Sequence, residues 1–251
     1  MMKNIYPSQK IGITEAGEPA YNLEIFRELH RANIIITKCL TDPLIDKIVE
    51  NRENIILHLT CTGFGGSILE PFVPTKEKTY KQFLKLIDKG FPVEQIVLRI
   101  DPCIPTIKGK KTAYEVAKLF SGHGIRRLRF SSLDMYNHVK ERFNAADVSL
   151  PYSSFHASEV ARVELLKGLK TIGEKYGYNI EACGEPGIPS ISCVSEKDLQ
   201  ILGLENKIEI VGNAGQRKTC NCPANKTELI RNSRPHQCEN KCLYCFWKNE
   251  S

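Results

Sequence analysis

Short apolar runs rich in Ile, Val and Leu alternate with longer amphipathic stretches along most of the 251-residue chain. This alternation limits the fold more than any other feature. Residues 33–37, 54–60, 95–100, 126–130, 179–183 and 207–211 have the length and β-branched content of buried strands, and 10–14 reads as a short first strand. Helical spacing falls between them, at about 21–31, 42–51, 75–89, 111–121, 156–176 and 195–203. Tyr80, Phe83, Leu84 and Ile87 recur on one helix face after Thr75. Ser195 and Asp198 form a capping box with Asp in place of Glu. Near-continuous apolar strands separated by helices predict an α/β fold with a parallel sheet covered on both faces. Six or seven such units predict a complete or partial (β/α) barrel, with a doubly wound open sheet as runner-up. Residues 144–155 are the least regular interior stretch and are expected to be a loop at the barrel mouth.

The barrel reading has a consequence for the tail. A last strand at 207–211 would exit at the carboxyl-end face of the sheet, where barrels place their chemistry. The expected organisation is a barrel-like domain over 1–212 and a cysteine-rich metal-binding segment over 213–251, packed on the barrel mouth. Cys238, Cys242 and Cys245 lie in that segment as a C-x₃-C-x₂-C run. Three thiolates can hold three irons of a [4Fe–4S] cluster, whereas an ordinary cubane takes four. The fourth iron is then open to a substrate or cofactor. Clustered thiolates also suit zinc, and Cys220, Cys222 or His236 could close that tetrahedron.

The run, with Tyr244 just before its last Cys and Phe246 just after it, resembles the signature of the radical S-adenosylmethionine (SAM) enzymes. The string Cys242-Leu-Tyr-Cys-Phe246 is similar to the cluster loop of the spore photoproduct lyase branch. Most of that superfamily carries the triad near the N-terminus; a spore-photoproduct-lyase-like family of unknown function carries it at the C-terminus, as here. Three further segments resemble that family: Arg99-Ile-Asp-Pro102, Ser131-Ser-Leu-Asp134 and Gln216-Arg-Lys-Thr-Cys-Asn-Cys222. The resemblance implies reductive cleavage of SAM to methionine and a 5′-deoxyadenosyl radical. It also implies a flavodoxin or ferredoxin as reductant and a substrate that is an unidentified molecule or a nucleic acid. In such enzymes a glycine-rich strand end receives the SAM amino group, which would be Gly63, Gly65 or Gly66.

Other strand ends carry polar groups that would ring one pocket in a barrel. Asp101 and Asp134 are candidate catalytic carboxylates. Arg99, Ser131 and Glu185 are candidates for holding the cofactor, although Arg99 and Asp101, two residues apart on one side of a strand, could also simply pair. Cys183, Cys193, Cys220 and Cys222 have the right count for a second [4Fe–4S] cluster or a zinc ion. Cys193 has a competing reading as a free thiol that donates hydrogen to a radical. Cys39, Cys61 and Cys103 are expected to be small buried hydrophobes, and His58 a core residue.

Ten cysteines without an apolar signal core predict a cytoplasmic protein with metal or redox chemistry rather than a disulfide framework. No apolar stretch approaches 18 residues, so no membrane partner is expected. The formal net charge is +6, and residues 214–251 hold seven Lys/Arg against three Glu. That excess supports an alternative, a zinc-binding, non-catalytic module for nucleic acid. No G-x-S-x-G, Walker-type or H-E-x-x-H pattern occurs, which argues against hydrolase, nucleotide-triphosphatase and zinc-protease chemistry.

Overall fold

The computed structural model describes residues 7–214, 219–230 and 238–247. Seven strands form one all-parallel sheet: β1 (Ile11–Ile13), β2 (Ala32–Thr37), β3 (Ile55–Thr60), β4 (Ile96–Cys103), β5 (Arg127–Ser132), β6 (Asn179–Ala182) and β7 (Lys226–Glu228). Their order is β6-β5-β4-β3-β2-β1-β7. The sheet is therefore a partial (β/α) arrangement. The complete barrel is not formed, because β6 and β7 are the two edges and do not pair. Each is only three or four residues long.

The alternation along each strand separates the two faces. Leu57, Leu59, Leu98, Ile100, Leu128 and Phe130 point to one face. There they pack against α1 (Asp42–Glu50), α2 (Lys76–Asp88), α3 (Ile107–Leu119) and α5 (Glu159–Tyr176). Threonine and serine caps start these helices: Thr41, Thr75, Thr106 and Ser158 each accept from a backbone N–H three residues on. Ile34, Ile36, Ile56 and Val97 point to the opposite face. That face is covered by the short α6 (Glu196–Ile201) and the chain around it, through Val194, Leu199, Leu204 and Ile208. A third cluster joins α4 (Asn137–Ala145) to Ile104, Leu133, Met135 and Tyr244 beyond the carboxyl ends of the strands.

Three expectations need correction. Residues 207–211 do not form a strand. Their backbone is held instead by side-chain amides: Asn225 donates to the Glu209 carbonyl (2.8 Å) and accepts from Val211 N–H (3.3 Å), and Gln9 bonds Lys207 and Glu209. Ile208 still packs into the core, so the apolar pattern reports burial, not pairing. The last strand is β7, which pairs with β1 and joins the tail segment to the main sheet. The helix expected at 21–31 is replaced by two 3₁₀ turns, Pro19–Tyr21 and Leu23–Arg27, whose bonds run from residue i to i−3. Helix α4, just before the irregular stretch, was not anticipated. The capping box does form, since Ser195 N–H donates to Asp198 (2.7 Å). Asp198 also accepts from the Arg127 guanidinium (2.6 Å).

The second face carries a buried polar network. Arg127 and Arg129 both donate to Glu181 (2.9 and 2.5 Å), and His58 lies 3.5 Å from Arg129. Burial, reinforced by Arg129, pushes the His58 imidazole well below its ordinary range, so it is neutral in the fold. Unfolded, it binds a proton near pH 6.5. Stability should therefore fall as pH drops below about 6.5, by up to about 1.4 kcal/mol per unit from this residue. In urea unfolding at about pH 7 and pH 5.5, a His58→Gln variant is expected to lose less stability over the interval than the native chain. An equal loss in both would assign the effect to other groups.

Candidate metal centre and cavity

A parallel sheet places every strand's carboxyl end along one edge, and a cavity of about 640 Å³ opens there. Thr14, Thr37, Thr60, Asp101 and Ser131 come to it from β1 to β5. Cys238, Cys242 and Cys245 line it from the tail, and Cys183, Cys193 and Cys220 line it as well. All six are free cysteines.

The tail is fixed over this edge by a buried polar node. Glu70, from the loop after β3, receives Lys38 Nζ (2.5 Å), Thr62 Oγ1 (2.6 Å) and the Tyr244 hydroxyl. Lys38 also donates to Tyr244 (2.9 Å). Burial raises the Glu70 carboxyl, but Lys38 outweighs it and holds the group below the usual range. A second anchor is Asn240, which donates to Glu18 (3.1 Å) and accepts from Cys39 Sγ (3.1 Å). Leu243 N–H donates to the Leu69 carbonyl (2.9 Å), and Arg142 on α4 donates to the carbonyls of Cys245 and Trp247. Lys241, between the first two cysteines, takes a left-handed backbone conformation, with its N–H bonded to the Cys238 carbonyl (3.2 Å). Burial pushes the Cys242 thiol up to about 12, against the lowering field of Lys38.

The other four cysteines also converge. Cys183 follows β6, Cys193 lies in the next loop, and Cys220 and Cys222 precede β7. The Cys183 and Cys193 sulfurs are 3.5 Å apart. Cys193, Cys222 and a Glu15 carboxylate oxygen lie within 4.8 Å of one another. A hydrogen bond from Cys222 lowers the Cys220 thiol to about 7. Cys61 and Cys103 are buried in the apolar core, whereas Cys39 is buried with its thiol on the Asn240 side chain. His236 lies outside the described residues, as do Gln216, Arg217 and Lys218 of the third resembling segment.

The remaining candidates divide. Asp101 lines the cavity, paired with Arg99 and accepting from Ser131 Oγ (2.6 Å). Arg99 is thus both paired and at the cavity, which reconciles its two readings. Asp134 also lines the cavity and bonds His156 Nδ1 (2.8 Å). Glu185 does not: it is buried under β5, where it accepts from Ser132 N–H (2.5 Å) and faces Arg162. Gly63, Gly65 and Gly66 are also absent from the lining. Gly63 has φ +82°, and a Cβ on Gly65 would lie 1.9 Å from the Pro74 carbonyl oxygen, so these positions shape the loop that carries Glu70. Three buried polar atoms on cavity-lining residues have no hydrogen-bond partner among the described residues: Thr60 Oγ1, Arg99 Nε and Ser132 Oγ. A ligand in the cavity could satisfy such atoms.

Sequence reasoning missed Lys38, Glu70, Glu18, Glu15 and His156. Lys38 and Glu15 follow strands directly, so the strand-end rule used for Asp101 would have found them. Glu70 and His156 sit in loops, and no local pattern marks them.

Fold and site together define an open, all-parallel α/β protein with a cysteine-lined cavity at the carboxyl ends of its strands. The chain belongs to the DUF1848 family, a domain of unknown function, which matches residues 25–247. No curated protein and no solved structure matches it. No helix among the described residues is long and apolar enough to cross a membrane.

Lys38 is the lever for testing the tail's anchorage. Lys38→Met would leave Glu70 buried without its cation and is expected to cost about 3–5 kcal/mol in urea unfolding. Adding Glu70→Leu should recover much of that loss, because an apolar pair of similar volume replaces the ion pair. A single variant as stable as the native chain would show that the node does not hold the fold.

Proposed function

We propose that this protein is a radical SAM-type iron–sulfur enzyme, with Cys238, Cys242 and Cys245 as the cluster ligands. The observation that carries the reading is that all three cysteines of the C-x₃-C-x₂-C run line the same cavity as Lys38, Arg99, Asp101, Ser131 and Asp134. The residues suit the group in two respects. Three thiols stand on a tail anchored at Asn240, Leu243 and Tyr244, so their positions are set before anything binds. The cavity volume lies within the range of small-molecule sites, and Thr60 Oγ1 and Arg99 Nε are polar atoms without partners among the described residues. A bound cluster of this kind would supply one-electron reduction of SAM to methionine and a 5′-deoxyadenosyl radical.

The chain's own groups do the positioning. Arg99 and Ser131 hold Asp101 at the cavity wall, where its carboxylate can accept from a ribose hydroxyl or an amine. Lys38 places a cation beside Cys242 and Tyr244. Asp134, bonded to His156, forms a dyad able to hold a proton at the cavity wall. Helix α4 and the apolar cluster around Tyr244 keep water from one side. A flavodoxin or ferredoxin would deliver the electron, and the resemblance leaves a small molecule, a peptide or a nucleic acid as the substrate.

The zinc-module alternative is less well supported. It needs Cys220, Cys222 or His236 to close the tail site, and Cys220 and Cys222 are engaged with Cys193 and each other instead.

Anaerobic reconstitution with iron, sulfide and SAM is expected to give a brown protein that releases 5′-deoxyadenosine on reduction. Cys242→Ala should abolish that product, and Asp101→Asn should weaken SAM binding while lowering thermal stability, because it leaves the largely buried Arg99 without its carboxylate. A Cys242→Ala protein that retained full iron content and SAM cleavage would overturn the proposal.

A further inference from the structure

We propose that Cys183, Cys193, Cys220 and Cys222 bind a single zinc ion that clasps the two edges of the sheet together. Three separate stretches of chain bring these sulfurs to one place. Their separation selects among the ways four thiols can be used. A disulfide requires an S–S distance of about 2.05 Å, and Cys183 and Cys193 stand 3.5 Å apart. In a cubane each thiolate bonds a different iron, which spreads the sulfurs. In a tetrahedral zinc site with Zn–S of about 2.3 Å, the sulfur–sulfur edges are roughly 3.8 Å. The 3.5 Å Cys183–Cys193 pair and the Cys193–Cys222 pair, within 4.8 Å, match two such edges; the four sulfurs do not all lie within 4.8 Å of one another, so Cys183 and Cys220 would draw in when the ion binds.

The surroundings suit a closed anionic centre. Four thiolates around Zn²⁺ carry two net negative charges. Arg99 and Lys226 are both within electrostatic reach of these sulfurs. Glu15 is held by Lys226 at 2.6 Å, and one of its carboxylate oxygens lies within 4.8 Å of the Cys193 and Cys222 sulfurs, which makes it the rival ligand for this centre. The protein already joins the segments without metal, since Thr219 Oγ1 donates to the Gly184 carbonyl at 2.6 Å. All four cysteines are part of the apolar layer over the second face of the sheet.

The topology gives the site its purpose. Cys183 follows β6 at one edge, and Cys220 and Cys222 lead into β7 at the other. Backbone pairing does not join these edges; the zinc would do so across the face. Because zinc has no redox chemistry in proteins, this centre is a wall of the cavity and not an electron relay, and it does not depend on the triad holding iron.

The test uses the full chain with Cys238, Cys242 and Cys245 replaced by Ser, purified and analysed for metals. One zinc per chain is expected, with thiolate-to-metal charge-transfer bands after exchange for Co²⁺. Adding Cys222→Ser should remove the zinc and lower the thermal midpoint. As a check that does not rely on a variant folding, zinc-edge X-ray absorption of the native chain should show a sulfur-only shell near about 2.3 Å. A folded, metal-free triple variant, or one that keeps about four irons, would overturn the proposal. Loss of zinc in Glu15→Gln with full retention in Cys220→Ser would overturn the four-cysteine ligand set. Loss of 5′-deoxyadenosine formation in the triple variant, with its zinc retained, would separate this site from the proposed catalytic one.

Discussion

All seven strands run in one direction, and the position of every functional group in the molecule depends on that constraint. A parallel ladder cannot be built from hairpins, so each strand must be followed by a crossover that returns the chain to the opposite end. The carboxyl ends then accumulate along one edge, where strands stop and side chains need not satisfy a ladder. Thr14, Thr37, Thr60, Asp101 and Ser131 gather there from five strands although more than 100 residues separate the first from the last. The register irregularity between Ile100 and Cys103 interrupts β4 at Asp101, just where its carboxylate meets Arg99 and Ser131.

Such an edge needs a cover, and the tail provides it by a polar route as well as an apolar one. Tyr244 buries its ring among Ile104, Leu133 and Phe143 while its hydroxyl reaches Glu70. Glu70 is nearly inaccessible, and a lone buried carboxylate would be strongly unfavourable. Lys38, Thr62 and Tyr244 make it tolerable together. The same contacts specify where the cysteine loop lies, because removing any one of them leaves the others incompletely paired. Glu18 repeats the arrangement on the opposite side of the loop, accepting from Thr37, Lys38 and Asn240. Two buried carboxylates thus hold one short cysteine loop.

Much of this was legible in the sequence, and what was not has physical causes. The strands β2 to β6 and the helices α1, α2, α3 and α5 show in the hydrophobic period because each buries one face or both. Residues 207–211 show the same period yet form no strand, since burial of Ile208 needs only an apolar neighbour, while pairing needs a free edge. The amides of Gln9 and Asn225 occupy that backbone instead, and a distant side chain leaves no trace in a local pattern. Closure of the barrel was equally unreadable: it depends on whether β6 and β7 meet, and neither is long enough to dictate its partner. At the site, Asp101, Ser131 and Asp134 could be found because they lie in the last residues of strands or just beyond them. Gly63, Gly65 and Gly66 were misleading for the same reason. Glycines at a strand end signal close approach, and here the approaching groups are Thr112 at Gly63, the Pro74 carbonyl at Gly65 and Thr75 at Gly66. Glu185 shares the strand-end signature and faces inward to Ser132 and Arg162.

The open sheet also bears on how a C-terminal cysteine run reaches the carboxyl-end edge of the strands. After β6 the chain crosses the second face, passes Cys193 and α6, and returns through Cys220 and Cys222 to lay β7 against β1. That crossing carries it from one edge of the sheet to the other, and Leu229 and Ile230 then bury themselves in the main core. The tail beyond must leave from the carboxyl end of β7, beside the carboxyl end of β1, because the two strands are parallel. Glu15 and Glu18 follow β1 at that point, and Glu228 accepts from the backbone N–H groups of Glu15 and Ala16 (2.8 and 3.1 Å). Closing the barrel would add a β6–β7 pairing and leave β7 beside β1. Pairing with β1 sends Cys238, Cys242 and Cys245 toward Glu18 and Lys38, while Cys183, Cys193 and Cys220 line a separate wall of the same cavity. The strand order, more than the position of the motif in the chain, sets which residues the triad faces.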